Sequence, residues 1–505
     1  MRYFNSVKKN AQNWRFYFAP VSVVFCVASA VTGADTTLQR TDLNVEELER
    51  ITRIVKPTIQ FSTAERFETM QAGAATAKGY SDRDAFSQPL QNLSFTNREK
   101  FSLGNALFRK LWVSSPSSTL SSDGLGPLFN ARACQACHIK DGRGHVPGAG
   151  EKASSLVVLL AQEQSDHLWD THPVYGHQIQ TFAVPGLLAE ADVDISYSPV
   201  HLRFDNGDIV ELQQPSLHLS GFDYGDIYSK TVLSARIAPP MIGLGLLEAI
   251  DDSDIRSGAD PDDRDNNGIS GRLSLISVDG QEKLGRFGYR ATQVSVKSQS
   301  AAAFSFDMGL STSSHAAVSG DCMPVQLDCL AKPHGEQLKF GEHEVPDELL
   351  DLVSFYSANL APPRRRSVND SQVLRGKQHF YDAGCAACHT PKYVTSKQAT
   401  ESQHRFQLIW PYTDLLLHDM GEALADRTID GEPSSQHAEW RTAPLWGIGM
   451  TKRINPRATF LHDGRAKTLL EAVLWHGGEA RKAKENVLGM KRSEREDLIR
   501  FLESL

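Results

Sequence analysis

The sequence predicts a mainly α protein built from two similar halves, the first enlarged by inserted β hairpins. Three observations carry this expectation. The pentapeptide C-x-x-C-H occurs twice, as Cys134-Gln135-Ala136-Cys137-His138 and Cys385-Ala386-Ala387-Cys388-His389. Each copy follows a Gly-x-x-x-Phe signal for a helix, at Gly104 and Phe108 and again at Gly376 and Phe380. Between the copies the pattern changes to strands: His201 to Phe204 and Ile209 to Leu212 flank Asn206-Gly207, a strong hairpin signal.

From the N-terminus, Arg2, Lys8, Lys9 and Arg15 precede an apolar run from Phe16 to Ala30, and Ala28-Ser29-Ala30 or Thr32-Gly33-Ala34 offers a cleavage site. Residues 1–34 therefore read as a secretory signal peptide. The alternative is an uncleaved anchor, for which the run is short. Export predicts a periplasmic protein with no membrane span after processing. Cys26 would leave with the signal, and Phe25 before it argues against a lipoprotein site. The 505 residues exceed what one hydrophobic core usually serves. The net charge of -8 gives no basic field, which argues against nucleic acid as a partner.

The C-x-x-C-H spacing is chemical. Two thiols add across the two vinyl groups of a haem, and the next His reaches the iron. This predicts two covalent haem c groups, held by Cys134, Cys137 and His138 and by Cys385, Cys388 and His389. A zinc or redox C-x-x-C is the plainer alternative. Each half is accordingly expected as a cytochrome c-like haem domain, residues 35–366 with the β insertion and residues 367–505.

The Phe-to-Cys gap is 26 residues in the first copy and 5 in the second, so the first carries an insert, with Ser117-Ser118 and Asp123-Gly124 as loop material. Leu156 to Leu160 is a continuous apolar run. Glu344 to Leu360 reads as a helix ending before Pro362-Pro363, and Arg364-Arg365-Arg366 as an exposed linker. A last helix, Ser493 to Leu505, would open with Ser493 as N-cap. Cys322 and Cys329 read as a local disulfide in an oxidising compartment, with a reactive dithiol as the alternative. Asp263, Asp265, Asn267 and Gly268 fit the start of a calcium loop, but Ser274 stands where its closing Glu belongs, so an Asx-rich turn competes.

Five segments carry a resemblance. Asp123 to Arg132 (D-G-L-G-P-L-F-N-A-R) leads into the first pentapeptide. Gly285 to Ala291 (G-R-F-G-Y-R-A) is followed by Asp307-Met308-Gly309. Pro411 to Gly421 (P-Y-T-D-L-L-L-H-D-M-G) follows the second. Phe460 to Arg465 and His476 to Glu479 complete the set. Over residues 90 to 505 the chain resembles the di-haem oxidoreductase family of peroxidase-like proteins, often labelled thiol oxidoreductase-like. That family is similar to bacterial di-haem cytochrome c peroxidases and to the di-haem enzyme that matures a tryptophan-derived cofactor in methylamine dehydrogenase.

The resemblance implies roles. Peroxide must give up a proton and regain one as water leaves. In the relatives a carboxylate does this, preceded by a glutamine; Asp307 and Gln299 stand in the matching segment. A helix-capping Asp is the alternative. Tyr289 is the candidate aromatic between the haems, or a plain packing residue. Thr468 to Val473 matches the segment before the sixth ligand of the second haem, which implies His476 on that iron, with Met420 or Met450 as alternatives and His418 and His462 as outer or propionate contacts. Imidazole in place of thioether would lower the potential. For the first haem His145, His172 and His177 remain open. The implied function is a periplasmic di-haem oxidoreductase that reduces hydrogen peroxide at the first haem. Its electrons would come through the second haem from a small cytochrome or copper protein. A pure electron carrier and a maturation enzyme acting on a protein are the alternatives.

Overall fold

Two helix pairs organise the molecule. Helix Phe95–Phe108 packs on Asp347–Ala358, and Ser371–Asp382 packs on Arg492–Ser504. In both pairs the glycine of Gly-x-x-x-Phe is the point of closest approach. A Cβ on Gly104 would lie 2.3 Å from the Leu352 carbonyl oxygen, and one on Gly376 would lie 1.9 Å from that of Asp497. The phenylalanine one turn on fills the seam: Phe108 meets Tyr356 at 5.1 Å and Phe380 meets Phe501 at 5.2 Å between ring centres. Ser94 and Asp370 cap the first helix of each pair by accepting backbone N–H bonds. The last helix differs from expectation. It is capped at Lys491, whose N–H donates to the Glu494 carboxylate, so Ser493 lies inside the helix.

The computed structural model describes residues 40–79, 82–163, 169–336, 339, 341–426 and 437–505. They belong to one compact unit, Leu38–Leu505. The expected signal peptide, 1–34, lies outside the described residues. Among the described residues no helix is long and apolar enough to cross a membrane.

The expectation of a mainly α fold is overturned. Among the described residues helix accounts for 29% and strand for 17%, with several small antiparallel sheets, so the architecture is mixed. The middle third is the reason. Strand Leu156–Glu163 pairs with Thr231–Ile237 and buries Leu156, Val158 and Leu160 on alternating positions. Strands Asp192–Arg203 and Ile209–Ser220 form a hairpin of twelve paired residues on each side, turning through Gly207 at φ 89°. This hairpin works as a strap. Its base packs Val193 and Leu217 near Tyr175, while at its tip Phe204 is buried under the Arg495 guanidinium at 3.8 Å. The Asp205 N–H donates to the Leu488 carbonyl.

The expected Arg364–Arg366 linker is only partly exposed. Arg364 is open, but Arg365 is buried against Phe501 and paired with the buried Glu68. Burial alone would raise the Glu68 carboxyl; Arg365 and Lys377 outweigh it and hold the group below the usual carboxylate range. The partner lies 297 residues away in sequence, which is why local composition misreads this segment.

Candidate functional site

The first pentapeptide forms a single helical turn, Cys134–Cys137, and His138 leaves it in a non-helical conformation. Its Nδ1 lies 2.8 Å from the Pro239 carbonyl oxygen. A carbonyl only accepts, so Nδ1 carries the hydrogen and Nε2 keeps its lone pair. Burial pushes the imidazole down to about 4 against the pull of that carbonyl, so the ring is neutral. Burial also pushes the Cys134 thiol up to about 12 and raises Cys137.

The second pentapeptide repeats this arrangement. His389 Nδ1 lies 2.9 Å from the Tyr412 carbonyl oxygen, and burial pushes the ring down to about 4. On the same cavity, His476 follows helix Leu469–Trp475, with Nδ1 2.8 Å from the Ala472 carbonyl oxygen and burial lowering its pKa. Both His389 and His476 line the cavity, and the charge of His476 reaches His389. All three histidines share one tautomer, with Nε2 free for a metal.

Of the rival side chains, Met450, His418 and His462 are engaged otherwise. Met450 is buried and its Sδ accepts from Arg366 at 2.8 Å. Met420 lines the cavity. His418 has both nitrogens taken, Nε2 by Asp414 at 2.9 Å and Nδ1 by Glu479 at 2.6 Å. Burial opposes its charge, but Asp414, Cys388 and Glu479 prevail and push it up to about 12. Cys388, Asp414 and His418 do lie within metal-ligand range of one another. Both ring nitrogens of His418 are held by carboxylates, which clamp its charge. His462 stacks on Trp440 at 3.8 Å, and its Nε2 is 3.5 Å from Asp426.

The wall beside the first pentapeptide comes from helix Val296–Met308. Gln299, Ala303 and Asp307 succeed one another at four-residue spacing and all line the cavity. The helix stops at Gly309, which takes the left-handed conformation at φ 65°. Its last carbonyls are claimed by neighbours: Phe306 by Gln178 and Gln180, Asp307 by Asn130 and Ala131. Asp307 does not cap a helix. Its Oδ1 accepts from Gln178 Nε2 at 3.0 Å, and burial pushes the carboxyl up to about 6 against that bond. Tyr289 also lines the cavity, donates to the Ile237 carbonyl at 2.8 Å and stands edge-on to Trp440.

Two groups stay apart from this site. Cys322 and Cys329 are bonded to each other, with Cα atoms 6.1 Å apart. Asp263 and Asp265 sit in a surface turn and accept from the loop's own N–H groups at Gly268 and Asn267. Only Asn267 of that loop's candidate ligands touches the cavity. The residues that sequence reasoning missed are those that orient others. Gln178 grips Asp307, Asp414 and Glu479 clamp His418, and the Pro239, Tyr412 and Ala472 carbonyls set the imidazoles. A carbonyl leaves no trace in a sequence motif. The Glu in H-G-G-E was the one available signal.

One cavity of about 940 Å³ reaches both pentapeptides and both opposing walls. Two thiols beside a neutral imidazole with a free Nε2, twice, in an apolar space of this size fit two haem groups. A model of the family described as "Di-haem oxidoreductase, putative peroxidase" matches residues 68–168 and 182–505. No curated protein and no solved structure matches the chain.

Proposed function

The chain belongs to the di-haem oxidoreductase family, and on that premise we propose that it is an exported, periplasmic enzyme that reduces peroxide in the first pocket with electrons entering through the second. Cys134, Cys137 and His138 would hold one haem c, and Cys385, Cys388, His389 and His476 the other. When bound, the haems supply one-electron redox centres and, in the first pocket, an iron site for the oxidant.

The observation that carries the reading is Asp307. A carboxylate in the last turn of a helix is disfavoured by the helix dipole, yet it stands here on the cavity wall close enough for Cys134 and Cys137 to feel its charge. Enclosure pushes it up to about 6, where it can take a proton and return it near neutral pH. Gln178 fixes one of its two oxygens. At the second pentapeptide the carboxylate on the cavity, Glu479, is bonded to His418, which holds it below its usual range against burial; His476 would close that iron with an imidazole, which suits electron transfer. Electrons would come from a small periplasmic cytochrome or copper protein.

The test is stopped-flow mixing of the half-reduced protein with hydrogen peroxide, with spin state recorded at both haems. A high-spin first haem that is rapidly reoxidised is the expected result. Two low-spin haems and no peroxide reaction would make the protein an electron carrier.

A further inference from the structure

Each peroxide reduced to two waters consumes two electrons, from the reduced protein donor, and two protons, from solvent. Asp307 can hold one proton and is enclosed. A second group must connect the first pocket with water. Among His145, His172 and His177, only His177 borders the cavity. His172 is buried away from it, with Nδ1 accepting from the Val174 and Tyr175 N–H groups. His145 engages Asn455 and Glu151.

His177 is held by an unusual grip. Asp321, almost fully buried, accepts from the His177 backbone N–H at 2.7 Å, from Nδ1 at 2.8 Å and from the Gln178 N–H at 3.2 Å. The approach needs Gly176, whose φ is 64° and where a Cβ would fall 2.6 Å from the Asp321 carboxylate. Asp321 itself adjoins Cys322 of the disulfide. The grip fixes the Nδ1–H tautomer and leaves Nε2 as the acceptor. The ring packs 4.9 Å from Phe306, the neighbour of Asp307, while its side chain keeps 44% of its surface exposed. The next residue, Gln178, donates to Asp307. The ionisable groups around the ring are Asp321, His315 across Phe306, and Asp307 farther along the wall.

We propose that His177, positioned by Asp321, is the proton-transfer residue that carries solvent protons into the pocket of Asp307. This rests on the first pocket being the one that takes the oxidant. His177 Nε2 accepts a proton from water, passes it into the pocket, and is reprotonated from solvent. As the O–O bond breaks, the two donated electrons end on the two oxygens, and the two protons complete the two waters.

Cyanide binding to the oxidised holoprotein tests this without turnover, because hydrogen cyanide must release a proton into the same pocket. His177→Gln should slow cyanide association and peroxide reduction by about 100-fold, with both haem spectra unchanged. Asp321→Asn, which keeps the backbone bonds but donates to Nδ1 and reverses the tautomer, should give a smaller loss. Added imidazole should restore cyanide association in His177→Gly, as a purely structural role would not allow. Unchanged cyanide rates in both His177→Gln and Asp321→Asn would overturn the proposal. So would a change to high spin at the first haem, since His177 would then be an iron ligand. A parent protein that ignores peroxide, with cyanide association still slowed in His177→Gln, would remove the peroxidase reading and leave His177 in place.

Discussion

The two pentapeptides stand on the same scaffold and look at different walls. Each lies beside a helix pair pinned by a glycine contact, each has a phenylalanine in the seam, and each turns its histidine through a backbone carbonyl. Across the second lies His476, fixed in the same tautomer as His389. Across the first lies a helix face of Gln299, Ala303 and Asp307, with His177 at its edge. A shared scaffold fixes where a haem can be attached. The opposing wall decides what it can do. On the proposed reading, an imidazole wall would close the iron, and a carboxylate wall would leave room for the oxidant and move protons.

Changing the first wall should have the largest effect. Asp307→Asn keeps the size of the side chain and removes the proton transfer, so peroxide reduction should fall by roughly 10²–10⁴-fold with both spectra normal. The sign with pH follows from the raised carboxyl. Asp307 is a base only above about 6, so the parent rate should drop as pH falls through 6. Asp307→Asn should lose that limb. An equal rate for variant and parent in stopped flow would erase the difference between the two walls.

The scaffold itself should respond alike in both halves. Gly104→Ala and Gly376→Ala each force a methyl into a backbone carbonyl. The helices must separate, at a cost of about 3 kcal/mol, on the order of a 100-fold change in the folding equilibrium. Denaturant midpoints would measure it. A large loss at one glycine and none at the other would break the equivalence of the two pairs.

Those glycines were legible from the sequence, as was the Asn206-Gly207 turn, because both signals are local. The mainly α reading fails because the strands between Leu156 and Ile237 pair into sheets with a core of their own. The hairpin is in fact long enough for Phe204 to reach Arg495. Sites follow the same division. Cys134, Cys137 and His138 announce themselves by spacing. The links from Gln178 to Asp307 and from Asp321 to His177 cross 129 and 144 residues. No local pattern encodes them.

Haem content should change by a factor of two. Cys385→Ser with Cys388→Ser removes both thiols of the second pocket and should leave one haem per chain after acid-acetone extraction. The first pocket should keep its spectrum. Mass spectrometry of the parent should find the processed chain plus two haems. Release of either haem from the parent would end the claim of covalent attachment.

The smallest change concerns the second wall alone. His476→Met should leave both haems attached and the second one low-spin. A thioether is a weaker donor than imidazole and favours ferrous iron, so the potential of that haem should rise. A weak near-infrared charge-transfer band should appear, while the first haem stays as it was. His476→Ala is the sharper variant, since it offers no ligand. The second haem should then lose its low-spin spectrum. If it does not, another side chain closes that iron. Met450 is already engaged with Arg366, so Met420, which borders the cavity, would take the assignment. Either way the second wall would still present a strong ligand where the first presents a carboxylate. Only a low-spin second haem in a protein lacking both His476 and Met420 would dissolve the contrast.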